Sequence, residues 1–136
     1  SPRYIIDRFD QAPHLQRKPC MSTVTRQLPD AQFSRIVMHG GVVHLAGQPA
    51  KDRSASVKAQ TTEILHSIDK LLHAAGSDKS RLLTTVIYLA DMRHKAQMDE
   101  AWLEWVDPQN TPARACVETR LGNLGSAVMV HVVAAL

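Results

Sequence analysis

Apolar positions along the chain repeat with two different periods, and the alternation between them predicts the elements. Ile36–Met38 and Val42–Ala46 are rich in β-formers, and Gly40-Gly41 separates them. A Gly-Gly pair accepts the positive φ that tight hairpin turns demand, so this stretch predicts a β-hairpin after a short segment at Thr23–Leu28. In "DRSASVKAQTTEILHSIDKLLHAAG", Val57, Ile64, Leu65, Ile68, Leu71, Leu72 and Ala75 fall at helical spacing. Asp52 or Ser54 is the expected N-cap, and Gly76 the expected left-handed terminator. Ser80–Asp91 reads as a buried strand reached by a crossover. "MRHKAQMDEAWLEWVDP" predicts a second helix with Met98, Ala101, Trp102, Trp105 and Val106 inward, stopped by Pro108. Two strands close the chain, Ala113–Arg120 and Val128–Ala135, joined by the loop "LGNLGS".

The order is β-β-α-β-α-β-β, an α+β fold in which two helices cover one face of a sheet. Strand residues of both parities are apolar: Val42, Val43 and Leu45, then Leu82, Leu83, Val86 and Ile87. The second face therefore also calls for burial, and no third helix exists to cover it. Another subunit is the expected cover, since a few hundred Å² of apolar surface at roughly 25 cal/mol per Å² favours association by several kcal/mol before entropy costs.

Composition narrows the classes. The 136 residues suit one domain, with 44% hydrophobic and 21% charged residues. No apolar run approaches a membrane span and no secretory signal is visible, so no membrane partner is expected. Residues 1–20 set Arg3, Arg8, Arg17 and Lys18 against Asp7 and Asp10, which leaves one positive charge of the net +3 for the rest. That is no footprint for nucleic acid. Those twenty residues hold three prolines and no periodicity, and Met21 opens the regular text. They are expected to be a leader or an expression-derived arm outside the core, a genuine flexible arm being the alternative, with residues 21–136 a single domain. Cys20 and Cys116 form neither a metal pattern nor a disulfide framework, which fits reduced thiols in the cytoplasm.

Candidate chemistry is sparse. On the Ala113–Arg120 strand, Arg114, Cys116, Glu118 and Arg120 share one face. Arg114 offers a rigid fork suited to a carboxylate; the plain alternative is an ion pair, with Glu118 as its partner. Cys116 is read first as a small buried hydrophobe. His39 and His44 flank the hairpin turn, and His66, His73 and His94 read as helix-surface residues. His131 stands among valines, as a core or interface residue or as a polar group in a pocket. No metal-ligand spacing, phosphate loop or nucleophile elbow is present.

"VVHLAGQ", "AGSDKSRLLTTVIYLADM" and "NTPARACVETRL" together resemble the reactive intermediate deaminase (Rid, YjgF-like) family, from about Phe33 to Ala135. The resemblance implies a chorismate-mutase-like fold and a homotrimer with a central barrel and three pockets between subunits. It further implies hydrolysis of reactive imines such as 2-iminopropanoate to a 2-keto acid and ammonia, with no metal or organic cofactor. Arg114 matches the arginine that binds the substrate carboxylate, Cys116 a pocket cysteine not essential to hydrolysis, and Gly47 a pocket-lining glycine. Three positions depart: Phe33 replaces a tyrosine, Ala46 often a serine, and the family glutamate falls at Met129 or, with a shifted loop, at His131.

Two functions follow. The first is a Rid-type imine hydrolase in which Arg114 anchors the carboxylate and His131 handles water, imidazole being suited to neutral pH. The alternative is a divergent member that binds a small carboxylate metabolite without hydrolysis, since losing a general base commonly removes ~10²–10⁴-fold of rate. A third class, RNA-directed activity, is disfavoured by the charge after Met21.

Overall fold

The computed structural model describes residues 23–136; the expected arm, Cys20 and Met21 lie outside the described residues. The strands are β1 (Thr25–Pro29), β2 (Ser34–His39), β3 (Val42–Leu45), β4 (Gln48–Pro49), β5 (Leu82–Leu89), β6 (Ala113–Glu118) and β7 (Val128–Ala135); the helices are α1 (Val57–Ala74) and α2 (Lys95–Trp105). They build one mixed sheet ordered β1-β2-β3-β7-β5-β6, with β4 paired to β7 beside it. The expected seven-element order is preserved, and two short strands, β1 and β4, are added to it.

Gly40 and Gly41 have φ of 58° and 78°, so both central residues of the β2–β3 turn lie in the left-handed region that a twisted two-residue hairpin requires. Ser56 caps α1, accepting from the Ala59 amide at 3.2 Å. The expected Asp52 and Ser54 do not, because they are spent on each other: Asp52 Oδ1 accepts from the Ser54 amide and hydroxyl. Gly76, at φ 83°, ends the helix as expected, and the Ser77 amide reaches back to the Leu72 carbonyl at 2.8 Å. A crossover through α2 makes β5 and β6 parallel, in the usual manner of a β-α-β unit.

The core lies between the helices and one sheet face. Ile64, Leu65, Ile68 and Leu72 from α1 meet Ile36, Val43, Leu45, Ile87, Leu89, Val130 and Val132 from the sheet. Each such side chain contributes roughly 1.5–3 kcal/mol by leaving water. Leu82 and Thr85, three residues apart, both face the core because the β5–β7 register shifts between Leu82 and Thr84. The opposite face carries Val37, Val86, Tyr88, Met129, His131 and Val133 half-buried, with Val117 40% exposed. Among the described residues no helix covers this second face. Neither helix is long and apolar enough to cross a membrane.

One buried amide joins the two loops at the sheet end. Gln60 is 2% exposed; its Nε2 donates to the Ala55 carbonyl at 3.1 Å and the Arg53 carbonyl at 3.4 Å, while its Oε1 accepts from the Ala127 amide at 3.1 Å. Arg53 adds a bond to the Leu124 carbonyl.

Candidate functional site

Strand parity decides which candidates meet. Along β5, Thr85 is opposite both Arg114 and Val132, and Ile87 is opposite both Cys116 and Val130. Val130 and Val132 are buried under the helices, so Arg114 and Cys116 point to the helix side. Val86 is opposite both Ala115 and His131, and Tyr88 is opposite Met129. Within one chain, then, His131 and Met129 occupy the sheet face opposite to Arg114.

The Arg114 side chain is 25% exposed and runs to α2. Its NH1 donates to Asp99 Oδ1 at 2.8 Å, and its Cζ lies 5.6 Å from the centroid of the Trp102 ring. A guanidinium held by a carboxylate and an aromatic face has little freedom to rotate. Asp99 Oδ2 accepts from Lys95 Nζ at 2.5 Å, so the carboxylate bridges two cations. Burial pushes the Asp99 carboxyl up, and the hydrogen bonds from Lys95 and Arg114 outweigh it, so Asp99 sits below the ordinary carboxylate range. Asp99, Trp102, Leu103 and Arg114 line a cleft of about 320 Å³.

Glu118, the acid expected to pair with Arg114, is engaged elsewhere: its Oε1 accepts from the Met92 amide at 2.8 Å. It thereby pins the segment leading into α2. The neighbouring Asp91 is bound by Arg93, whose hydrogen bond holds that carboxyl at about 2. Cys116 packs against the core, and burial pushes its thiol up, partly countered by Arg114. A neutral thiol there behaves as a small apolar group, not as a nucleophile.

Of the remaining candidates, Gly47 and Met129 meet where the β3–β4 link passes the start of β7. A Cβ on Gly47 would lie 3.1 Å from the Met129 sulfur, so the β3–β4 link passes close over that thioether and a larger residue there needs it to shift by a few tenths of an ångström. Ala46 is half-buried beside it, and its amide donates to the Arg35 carbonyl. Phe33 precedes β2 and is 51% exposed. Gly47 and Met129 are therefore brought together. Arg114 and Cys116 form a second group on the other sheet face.

Asp99, Lys95, Trp102 and Leu103 were not among the sequence candidates. Lys95 and Asp99 are four apart and Asp99 and Trp102 three apart, the spacing of neighbours on a helix surface. That signal was readable, but nothing in it pointed to β6.

Residues 23–136 match the family model described as Endoribonuclease L-PSP. A RutC family protein of Haemophilus ducreyi is 39% identical over 113 residues, covering 83% of this chain and 97% of that protein. The crystal structure of a YjgF family member from Neisseria meningitidis superposes with a TM-score of 0.79 at 35% identity, covering 83% of this chain and 94% of that one. A chloroplastic protein of Arabidopsis thaliana named Reactive Intermediate Deaminase A is 28% identical over 103 residues, 76% of this chain and 54% of that protein. Two lines thus converge, a family match spanning every described residue and bacterial relatives aligned over nearly their full length, and the chain belongs to the Endoribonuclease L-PSP family, the group of RutC, YjgF and Rid proteins.

Proposed function

We propose that the protein hydrolyses a small 2-imino acid to the 2-keto acid and ammonia, in pockets between the subunits of a homotrimer. The observation that carries this is Arg114: a guanidinium fixed by Asp99 and Trp102 at the rim of a cleft, with Nε and NH2 making no hydrogen bond among the described residues. Those donors suit the carboxylate of such a substrate, a charge-assisted contact worth about 1.5–3 kcal/mol. The plant relative's name supports the choice of chemistry.

Water handling falls to a second copy. His131 and Met129 lie on the half-exposed apolar face, the face a neighbouring subunit covers, so the imidazole serves the Arg114 of an adjacent chain across the seam. In the reaction, water oxygen adds to the imine carbon while His131 takes its proton and returns it to nitrogen. The same imidazole then carries the hydroxyl proton of the carbinolamine to its amine nitrogen, the C–N bond breaks as the carbonyl forms, and ammonia leaves. Arg114 holds the carboxylate throughout, and Gly47 and Ala46 shape the wall beside Met129.

Generating 2-iminopropanoate in situ and following its decay tests this. Wild type accelerates decay, and Arg114→Ala lowers kcat/KM by about tenfold to a hundredfold, the equivalent of the lost contact. His131→Ala abolishes the acceleration; a retained rate assigns water to another group. No acceleration by wild type removes the hydrolase. The binding-only alternative is favoured by one feature: neither Met129 nor His131, the two positions that the resemblance gives the family glutamate, carries a carboxylate. It is recognised by saturable pyruvate heats that vanish in Arg114→Ala without any effect on imine decay. The family description also names an endoribonuclease, but a cleft with a single available guanidinium and a carboxylate beside it suits one small anion better than a polyanion, which is gripped by several cations.

A further inference from the structure

We infer that Asp99 is a specificity-determining residue: it occupies one side of Arg114 that an entering carboxylate must share, and so restricts the site to weakly held, singly charged ligands. The inference rests on the proposed carboxylate site at Arg114. Both Asp99 oxygens are taken by cations, Oδ1 by Arg114 at 2.8 Å and Oδ2 by Lys95 at 2.5 Å. Arg114 keeps two of its three nitrogens unbonded among the described residues, so Asp99 orients the fork without filling it.

The surrounding charges set the count. Glu118 lies four residues on along the same face of β6; it keeps its charge but turns it to the Met92 amide and toward Arg93, away from the residues that line the cleft, and Arg93 is itself paired with Asp91. At the rim this leaves Arg114 and Lys95 against Asp99, one unmatched positive charge. A monocarboxylate completes that balance. A second carboxylate on the ligand meets the Asp99 charge and no further cation. Asp99 thus does two opposed things: it presents the guanidinium in a fixed direction, and its negative charge subtracts from the pull on the ligand.

Calorimetric titration of the full chain with pyruvate tests this. Asp99→Asn keeps an oxygen to accept from Arg114 and removes the charge. It is expected to bind pyruvate about fivefold more tightly, the effect of removing a like charge a few ångströms from the anion in a wet site. Asp99→Glu keeps the charge and returns the affinity toward wild type, a rescue that a purely structural role does not produce. Lys95→Met leaves Asp99 unbalanced and weakens pyruvate by a similar factor; Lys95 is 43% exposed, so this change leaves the core untouched. Pyruvate bound no more tightly by Asp99→Asn, or equally well by Lys95→Met, while lost in Arg114→Ala, overturns the role of Asp99 and leaves the carboxylate site standing. Pyruvate heats unchanged in Arg114→Ala, or absent from wild type and Asp99→Asn alike, overturn both.

Discussion

Gln60 illustrates how one side chain sets the position of a loop far away in sequence. It is a polar residue at 2% exposure on the apolar face of α1, and it is tolerated because both ends of its amide are bonded. Replacing it with leucine preserves most of the volume and strands the Ala127 amide without an acceptor. Gln60→Leu is expected to destabilise the protein by about 1–3 kcal/mol, read from urea unfolding, with faster hydrogen exchange at Ala127. The residue scale is also where reading the sequence succeeded and failed most visibly. Arg114 was found because strand alternation and the adjacent motif both marked it. Its partner was assigned by proximity along the chain, as Glu118, whereas the real partner, Asp99, comes from the preceding helix. Alternation fixes which way a side chain points but is silent about what α2 brings to meet it. The same silence covers His131: parity placed it on its strand, but only the pairing of β5 with both β6 and β7 set it on the face opposite Arg114.

At the scale of elements, the long periodic stretches were legible and the short ones were not. α1 and α2 each present a stripe of buried apolar residues, which periodicity detects directly. β4 is two residues long and exists because Gln48 and Pro49 pair with β7, a tertiary fact without local pattern. β1 is mostly exposed, so it lacks the alternation that burial imposes. The N-cap of α1 is Ser56, four residues beyond Asp52 and two beyond Ser54, because several capping side chains compete in "DRSAS" and the winner depends on how Asp52 and Ser54 bond each other. The C-terminus was unambiguous, since one glycine stands where a left-handed residue is required. At φ 83° a Cβ on Gly76 has no atom within 4 Å, so alanine there meets strain without collision. Gly76→Ala is expected to cost about 1–2 kcal/mol, visible as a lower urea midpoint with an unchanged slope.

For the molecule as a whole, the question is what covers the second sheet face. Its side chains are mostly apolar along β5, β6 and β7, and in the isolated chain those of β5 and β7 stop at half-burial while Ala113, Ala115 and Val117 on β6 stay exposed. The proposed trimer answers this by turning the faces of three copies toward one another, and it places His131 of one copy near Arg114 of the next. The Val117 side chain separates the two demands on this face, fold and assembly. It pairs with Tyr88 on the edge strand β6 and is 40% exposed, so a polar replacement costs the single chain little. Buried at a seam, the same replacement sets three carboxylates in an apolar interface without partners, which favours dissociation. Val117→Asp is therefore expected to keep the far-ultraviolet dichroism of the wild type while its sedimentation falls from the mass of three chains to that of one. Imine decay should fall with it even though Arg114 and His131 are intact in every chain, because neither reaches the other without a neighbour. A monomeric wild type, or a Val117→Asp monomer with full activity, would place the whole reaction on one chain, where the sheet itself stands between the two side chains.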